Sequence, residues 1–205
     1  MDNLTPAQAW RVIQEGNQRF VEGKVLHPNQ SSDLRAALAA GQTPHVVLFG
    51  CGDSRLAAEI IFDQGLGDMF VVRTAGHVLD EAVLGTIEFG PDVLEVPLIV
   101  VLGHSKCGAV GATLEALDNN TIPNGYVRTI VEKVAPSVLA GRAEGLTDYY
   151  DFIGRHVKET VNLLVERSKI ISDRVAEGRL AVVGLTYRLE DGQVELVKVI
   201  GDVGE

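Results

Sequence analysis

Cys51-Gly52-Asp53-Ser54-Arg55 and Gly103-His104-Ser105-Lys106-Cys107-Gly108 hold both cysteines of the chain. Two thiolates and one imidazole form a ligand set suited to zinc, which accepts soft sulfur beside borderline nitrogen. Three protein ligands leave one tetrahedral position open, the arrangement of catalytic rather than structural zinc. His104 and Cys107 stand at i and i+3, a spacing that one helical turn would bring to a common side. Cys51 must then arrive from a separate element. Two other readings use the same residues. Lone cysteines are commonly buried and inert, and the pair could close a disulfide, which a reducing compartment disfavours.

Asp53 follows Cys51 by two residues, and Arg55 follows Asp53 by two. A carboxylate beside the open metal position can accept a hydrogen bond from metal-bound hydroxide and orient it. The same carboxylate could instead take that position and exclude water. A guanidinium forked onto it would hold it off the metal. The competing reading is an ion pair at the start of the next helix. Gly50 and Gly52 flank the first sulfur and permit close backbone approach. Gly108 is placed to offer an N–H to sulfur or to a product oxygen.

Both stretches follow apolar runs, residues 45–50 and 97–102, that read as strands buried on both faces. Around them the pattern predicts helices over 5–22 and 31–40 and a strand over 69–72. It predicts further helices over 56–62, 80–89 and 107–117. Gly90-Pro91 should end the helix before it, and Pro136 should bend or end one over 126–139. Asp148 caps one long helix that runs to Gly178. A strand over 180–189, a turn at Glu190-Asp191-Gly192 and an antiparallel strand over 194–200 close the chain. Strands alternating with helices predict an α/β fold with a mostly parallel central sheet, four parallel strands plus an antiparallel edge strand. In such sheets ligands bind beyond the carboxyl ends of the strands, where strand order reverses. If the strands ending near 50 and 102 are neighbours, the candidate ligands meet there. Gly65-Leu66-Gly67 is no dinucleotide fingerprint, because it precedes a strand and lacks a third glycine.

The 205 residues suit one domain (1–205), read as a helical arm over 1–41 and an α/β core over 42–205. A net charge of −10 disfavours nucleic acid and anionic membranes as partners. The first residues lack the basic and apolar regions of a signal peptide, and the longest apolar run is too short to span a bilayer. The expected location is cytoplasmic.

The two stretches together resemble the β-class carbonic anhydrases. Asn17-Gln18-Arg19-Phe20, the run from Val71 to Gly76 and the run from Leu98 to Val110 extend the likeness, which is greatest to actinobacterial members. It implies reversible hydration of carbon dioxide to bicarbonate and a proton by a zinc-bound hydroxide. It further implies one zinc per subunit on Cys51, His104 and Cys107, with Asp53 and Arg55 as a catalytic dyad. Asp53 would serve as a fourth ligand in an inactive form. Gln42, Phe70, Ala75, Phe89 and Gly108 match positions around the substrate, Gln42 reaching it from a partner subunit. The N-terminal helices would wrap that partner in a homodimer or homotetramer. Leu48 stands where one subgroup carries a tryptophan, so that subgroup's bicarbonate inhibition site is not expected. Two thiolates cancel the zinc charge, which predicts activity rising above neutral pH. The alternatives are a related zinc hydrolase for another small molecule such as carbon disulfide, and a thiol or zinc redox-sensing module. The second would leave Asp53 and Arg55 without a task. None of His27, His45, His77 and His156 is singled out as a proton shuttle.

Overall fold

The run Val46–Cys51 forms β1, with all six residues buried. A strand without a polar face needs cover on both sides, and an inner position provides it. The computed structural model describes residues 4–204. In it β1 pairs in parallel with β2 (Met69–Thr74) and with β3 (Leu98–His104). The sheet continues with β4 (Ala181–Tyr187), parallel to β3, and β5 (Val194–Ile200), antiparallel to β4. The order β2-β1-β3-β4-β5 matches the expected sheet and makes the two site-bearing strands neighbours.

The helices are α1 (Pro6–Val21), α2 (Ser32–Ala37), α3 (Ala58–Ile61), α4 (Glu81–Val93), α5 (Gly108–Asn119), α6 (Val127–Ala143), α7 (Tyr149–Arg167) and α8 (Lys169–Ala176). Alternation along the strands divides the core between the two sheet faces. Val46, Leu48, Val100 and Val183 pack with Ile13, Val134 and Phe152. Val47, Phe49, Val101 and Val182 pack with Ile87, Val161 and Leu164. Among the described residues no helix is long and apolar enough to cross a membrane.

Thr5 caps α1 through a reciprocal pair with Gln8, the capping box that Thr-Pro announces. The helix lies on its own domain. Trp10 and Ile13 are buried in it, and the Asn17 amide donates to the carbonyls of Ile61 and Gly192 at 3.2 and 2.9 Å. In contrast α2 buries no residue.

Three helix boundaries differ from expectation. α4 runs through Gly90-Pro91 to Val93. The clash that keeps a residue before proline out of helical conformation involves its Cβ, and Gly90 has none. Packing demands the same glycine, because a Cβ there would lie 2.1 Å from Val47 Cγ2. α6 likewise continues past Pro136 to Ala143. Pro136 and Glu132 are both exposed, so the carbonyl deprived of its N–H faces water. The long helix expected to end at Gly178 is split at Ser168, which leaves helical conformation (ψ 110°) and caps α8 through Ile171 N.

Asp63 pins the segment after α1 to the core. Its carboxylate, 1% exposed, meets Arg19 Nε at 2.6 Å and accepts from the N–H groups of Leu26 and His27. Burial works to raise its pKa, but those N–H groups and the guanidinium outweigh it and hold the acid below its usual range. A depressed folded-state value stabilises the protein at pH above the unfolded value, about 3.9, and that contribution fades as pH falls through the folded value. Asp63→Ala is expected to destabilise the fold by about 3 kcal/mol at neutral pH. Urea denaturation at pH 7 and at a series of pH values below about 3.9 checks this; a loss that does not shrink as the folded-state carboxylate protonates would refute the ionic origin.

Candidate metal centre

β1 ends on Cys51 and β3 ends on His104, with Gly50 opposite Leu102 in the register. His104 is therefore a strand residue, and the helical turn expected from its spacing to Cys107 is not how the two meet. After β3 the chain folds back through Lys106, which takes a left-handed φ of 56°, and Cys107 becomes the N-cap of α5. One strand end and one helix start thus converge with Cys51 from the adjoining strand. The ligand atoms of Cys51, His104 and Cys107 lie within 4.8 Å of one another, and all three residues are buried. Tetrahedral zinc with sulfurs at about 2.3 Å places them about 3.8 Å apart, so the group needs only slight contraction.

The donor set fits zinc on two further grounds. Both cysteines are free. His104 Nδ1 lies 2.9 Å from the carbonyl of Ser105, while Nε2 is buried without a hydrogen-bond partner. A carbonyl only accepts, so Nδ1 carries the proton and the Nε2 lone pair points into the cluster. Metal-binding histidines commonly take this arrangement. The two buried sulfurs lie close together, and one proton shared between them favours a single thiolate, which lowers the pKa of Cys51 and raises that of Cys107.

Asp53 carries its expected fork. Arg55 Nε and Nη2 donate to Oδ1 and Oδ2 at 2.9 and 2.7 Å, and the Arg55 N–H adds a bond of 2.9 Å to Oδ1. These bonds, the guanidinium's foremost, keep the carboxyl well below the usual carboxylate range against the effect of burial. The helix-capping alternative fails, because α3 begins beyond the pair and its N-cap is Ala57. Lys106 turns outward to Glu190 Oε1 at 2.8 Å.

Residues that sequence reasoning did not assign also reach the site, among them Arg73, Gly76 and Tyr149, whose hydroxyl donates to the Cys107 carbonyl. Arg73, near the end of β2, donates from Nε to the Cys51 carbonyl at 2.8 Å and from Nη2 to the Asp53 carbonyl, clamping the loop between them. Gly76 directs its N–H at Cys51 Sγ, 3.2 Å away. Both lie in the stretch that carried the family likeness, but no local pattern shows what they touch. The N–H groups beside Cys107 sulfur are those of Ala109 and Val110 rather than Gly108.

The remaining residues divide. Ala75 follows Thr74, the register partner of Cys51, and lies exposed at the site's edge. Phe70 and Phe89 stack with centroids 6.0 Å apart. Phe70 stands opposite Val47, four residues before Cys51, which is about 13 Å along the strand. Gln42 is exposed and lines a surface cavity with Arg35, Leu38 and Leu66. Neither the aromatic stack nor Gln42 joins the cluster within this chain.

The family model described as carbonic anhydrase matches residues 46–194. "Carbonic anhydrase 2" of Mycobacterium tuberculosis is 62% identical over 205 residues, covering 100% of this chain and 99% of the relative. The carbonic anhydrase of Mycolicibacterium smegmatis is 58% identical, with 100% of both chains covered. Among solved structures, the Coccomyxa β-carbonic anhydrase in complex with acetazolamide superposes with a TM-score of 0.74 at 26% identity, covering 91% of this chain and 86% of its own. With its family model matched across most of its length and its sulfur–imidazole cluster assembled at the strand ends, this chain belongs to the carbonic anhydrase family, in the β class.

Proposed function

We propose that this protein catalyses the reversible hydration of carbon dioxide to bicarbonate and a proton, with one zinc ion per subunit on Cys51, His104 and Cys107. The observation that carries the reading is the partnerless His104 Nε2 converging with two free buried sulfurs, beside a carboxylate tied to arginine. Zinc held there would supply a Lewis acid, lowering the pKa of a bound water from about 15.7 towards 7. The side chains of this protein do the rest. Asp53, kept ionised and forked by Arg55, accepts a hydrogen bond from the attacking O–H and turns its lone pair to the carbon. Arg73 keeps Cys51 and Asp53 in fixed relation. Gly108 and Ala75 border the place where the product forms.

The active form we propose is a homodimer or homotetramer in which Gln42 and the Phe70–Phe89 stack of one copy complete the pocket of another. The exposure of Gln42 and Phe89, and the separation of all three from the cluster within one chain, support this.

Stopped-flow carbon dioxide hydration, with zinc measured on the same sample, tests the reading. One zinc per chain and a kcat that rises above neutral pH are expected, because two thiolates offset the ion's charge and leave its water less acidic. Chelation should abolish the activity and zinc should restore it. A zinc-loaded protein inert towards carbon dioxide would overturn the proposal.

A further inference from the structure

The turn that presents the Gly76 N–H to Cys51 is strained. Gly76 has φ 63° and His77 has φ 43°, two successive left-handed residues. The conformation is unfavourable for a histidine and persists only where surrounding contacts impose it. A Cβ at Gly76 would lie 2.5 Å from that of Ala109, so no other residue fits. The imposing contact comes from elsewhere in the fold. His156, on α7 and only 4% exposed, places Nε2 2.9 Å from the Gly76 carbonyl. Its Nδ1 lies 2.9 Å from Ser137 Oγ on α6. The carbonyl accepts, so Nε2 carries the proton; burial keeps the ring neutral, and Nδ1 then accepts from the Ser137 hydroxyl. The His77 ring lies against His156 at 4.4 Å between centroids and meets Phe49 edge-on at 6.2 Å. The turn is thus gripped at its carbonyl and at its side chain.

The geometry points to His156 as a positioning residue for the metal centre: with Ser137, it holds the Gly76 turn so that its N–H stays on the Cys51 sulfur. The N–H and the carbonyl of Gly76 belong to successive peptide groups, so His156 acts by fixing the turn's orientation and not by polarising the donor. An N–H on a thiolate withdraws electron density that the sulfur would otherwise give to the metal, a common way for outer groups to tune a site. The inference rests on the zinc reading above.

The test uses full-length protein loaded with cobalt, whose thiolate charge-transfer band reports the electron density on sulfur. Three variants are compared with the unaltered protein: His156→Leu, which fills the space without a donor, His156→Gln, which restores a donor near Nε2, and Ser137→Ala. Leucine is expected to move the band to lower energy as the sulfur becomes more electron-rich, and to weaken zinc binding about tenfold in chelator competition because loss of the ligand's fixed orientation outweighs that gain. Glutamine should return both towards the unaltered values. Ser137→Ala should shift the band in the same direction by less, and it keeps the test open if the leucine protein does not fold. A merely structural role would lower the melting temperature and leave the band in place, so an unshifted band in Ser137→Ala and in any folded leucine variant overturns the inference. Unaltered protein that takes up no cobalt would instead overturn the zinc reading.

Discussion

Cys107→Ala protein is expected to purify folded but without stoichiometric zinc, and to lose carbon dioxide hydration with it. Structural zinc sites are worth about 10–16 kcal/mol in total, so one ligand of the set accounts for about 3–5 kcal/mol. That corresponds to a fall of about a thousandfold in zinc affinity. The fold should survive the change, because Tyr149 and the Gly111 N–H both bond the backbone carbonyl of residue 107 at the helix start. Those backbone contacts survive the substitution and hold α5 in place. Metal analysis after dialysis, together with circular dichroism, separates the outcomes. Folded Cys107→Ala that retains one zinc and full turnover would remove this sulfur from the site.

Asp53→Ala should behave in the opposite way, keeping its zinc and losing turnover. The carboxylate is not among the converging ligand atoms, since both its oxygens are engaged by Arg55. A positioned group that handles a proton or orients a nucleophile contributes about 10²–10⁴-fold, and a fall of at least a hundredfold in kcat is expected. Arg55→Ala should be at least as damaging, because the released carboxylate is free to take the metal's open position. The Asp53→Ala/Arg55→Ala double variant should then recover some activity relative to Arg55→Ala alone. Stopped-flow rates with zinc content on each variant decide it, and unchanged turnover in Asp53→Ala would exclude the carboxylate from the reaction.

The parts of this site that are legible along the chain are local ones. Asp53 and Arg55 are two residues apart, so a short fork between them comes from geometry that any strand exit permits. Cys51, His104 and Cys107 are readable because each closes or succeeds an apolar run, and strands buried on both faces must lie inside a sheet. The same locality misleads at the helix boundaries. Proline signals the end of a helix in isolation, whereas Gly90-Pro91 continues one because the glycine removes the clash and admits Val47. Ser168 reads as an ordinary helix residue, and only the fold shows its side chain capping α8. Gln42, Phe70, Ala75 and Phe89 stand out through family likeness alone, and no periodicity separates them from core or surface positions.

Residue type and spacing were enough to predict the α/β class and to single out the sulfur–imidazole trio and the carboxylate–guanidinium pair that the fold brings together, because hydrophobic period, ligand softness and short-range charge pairing act over a few residues. How those ligands are aimed was settled by packing across the fold. Arg73 meets a carbonyl 22 positions away and His156 one 80 positions away. Bonds of that reach form only once β1, β2, α6 and α7 have been brought together by burial of their apolar faces, and no local pattern along the chain encodes which partners will then be in range.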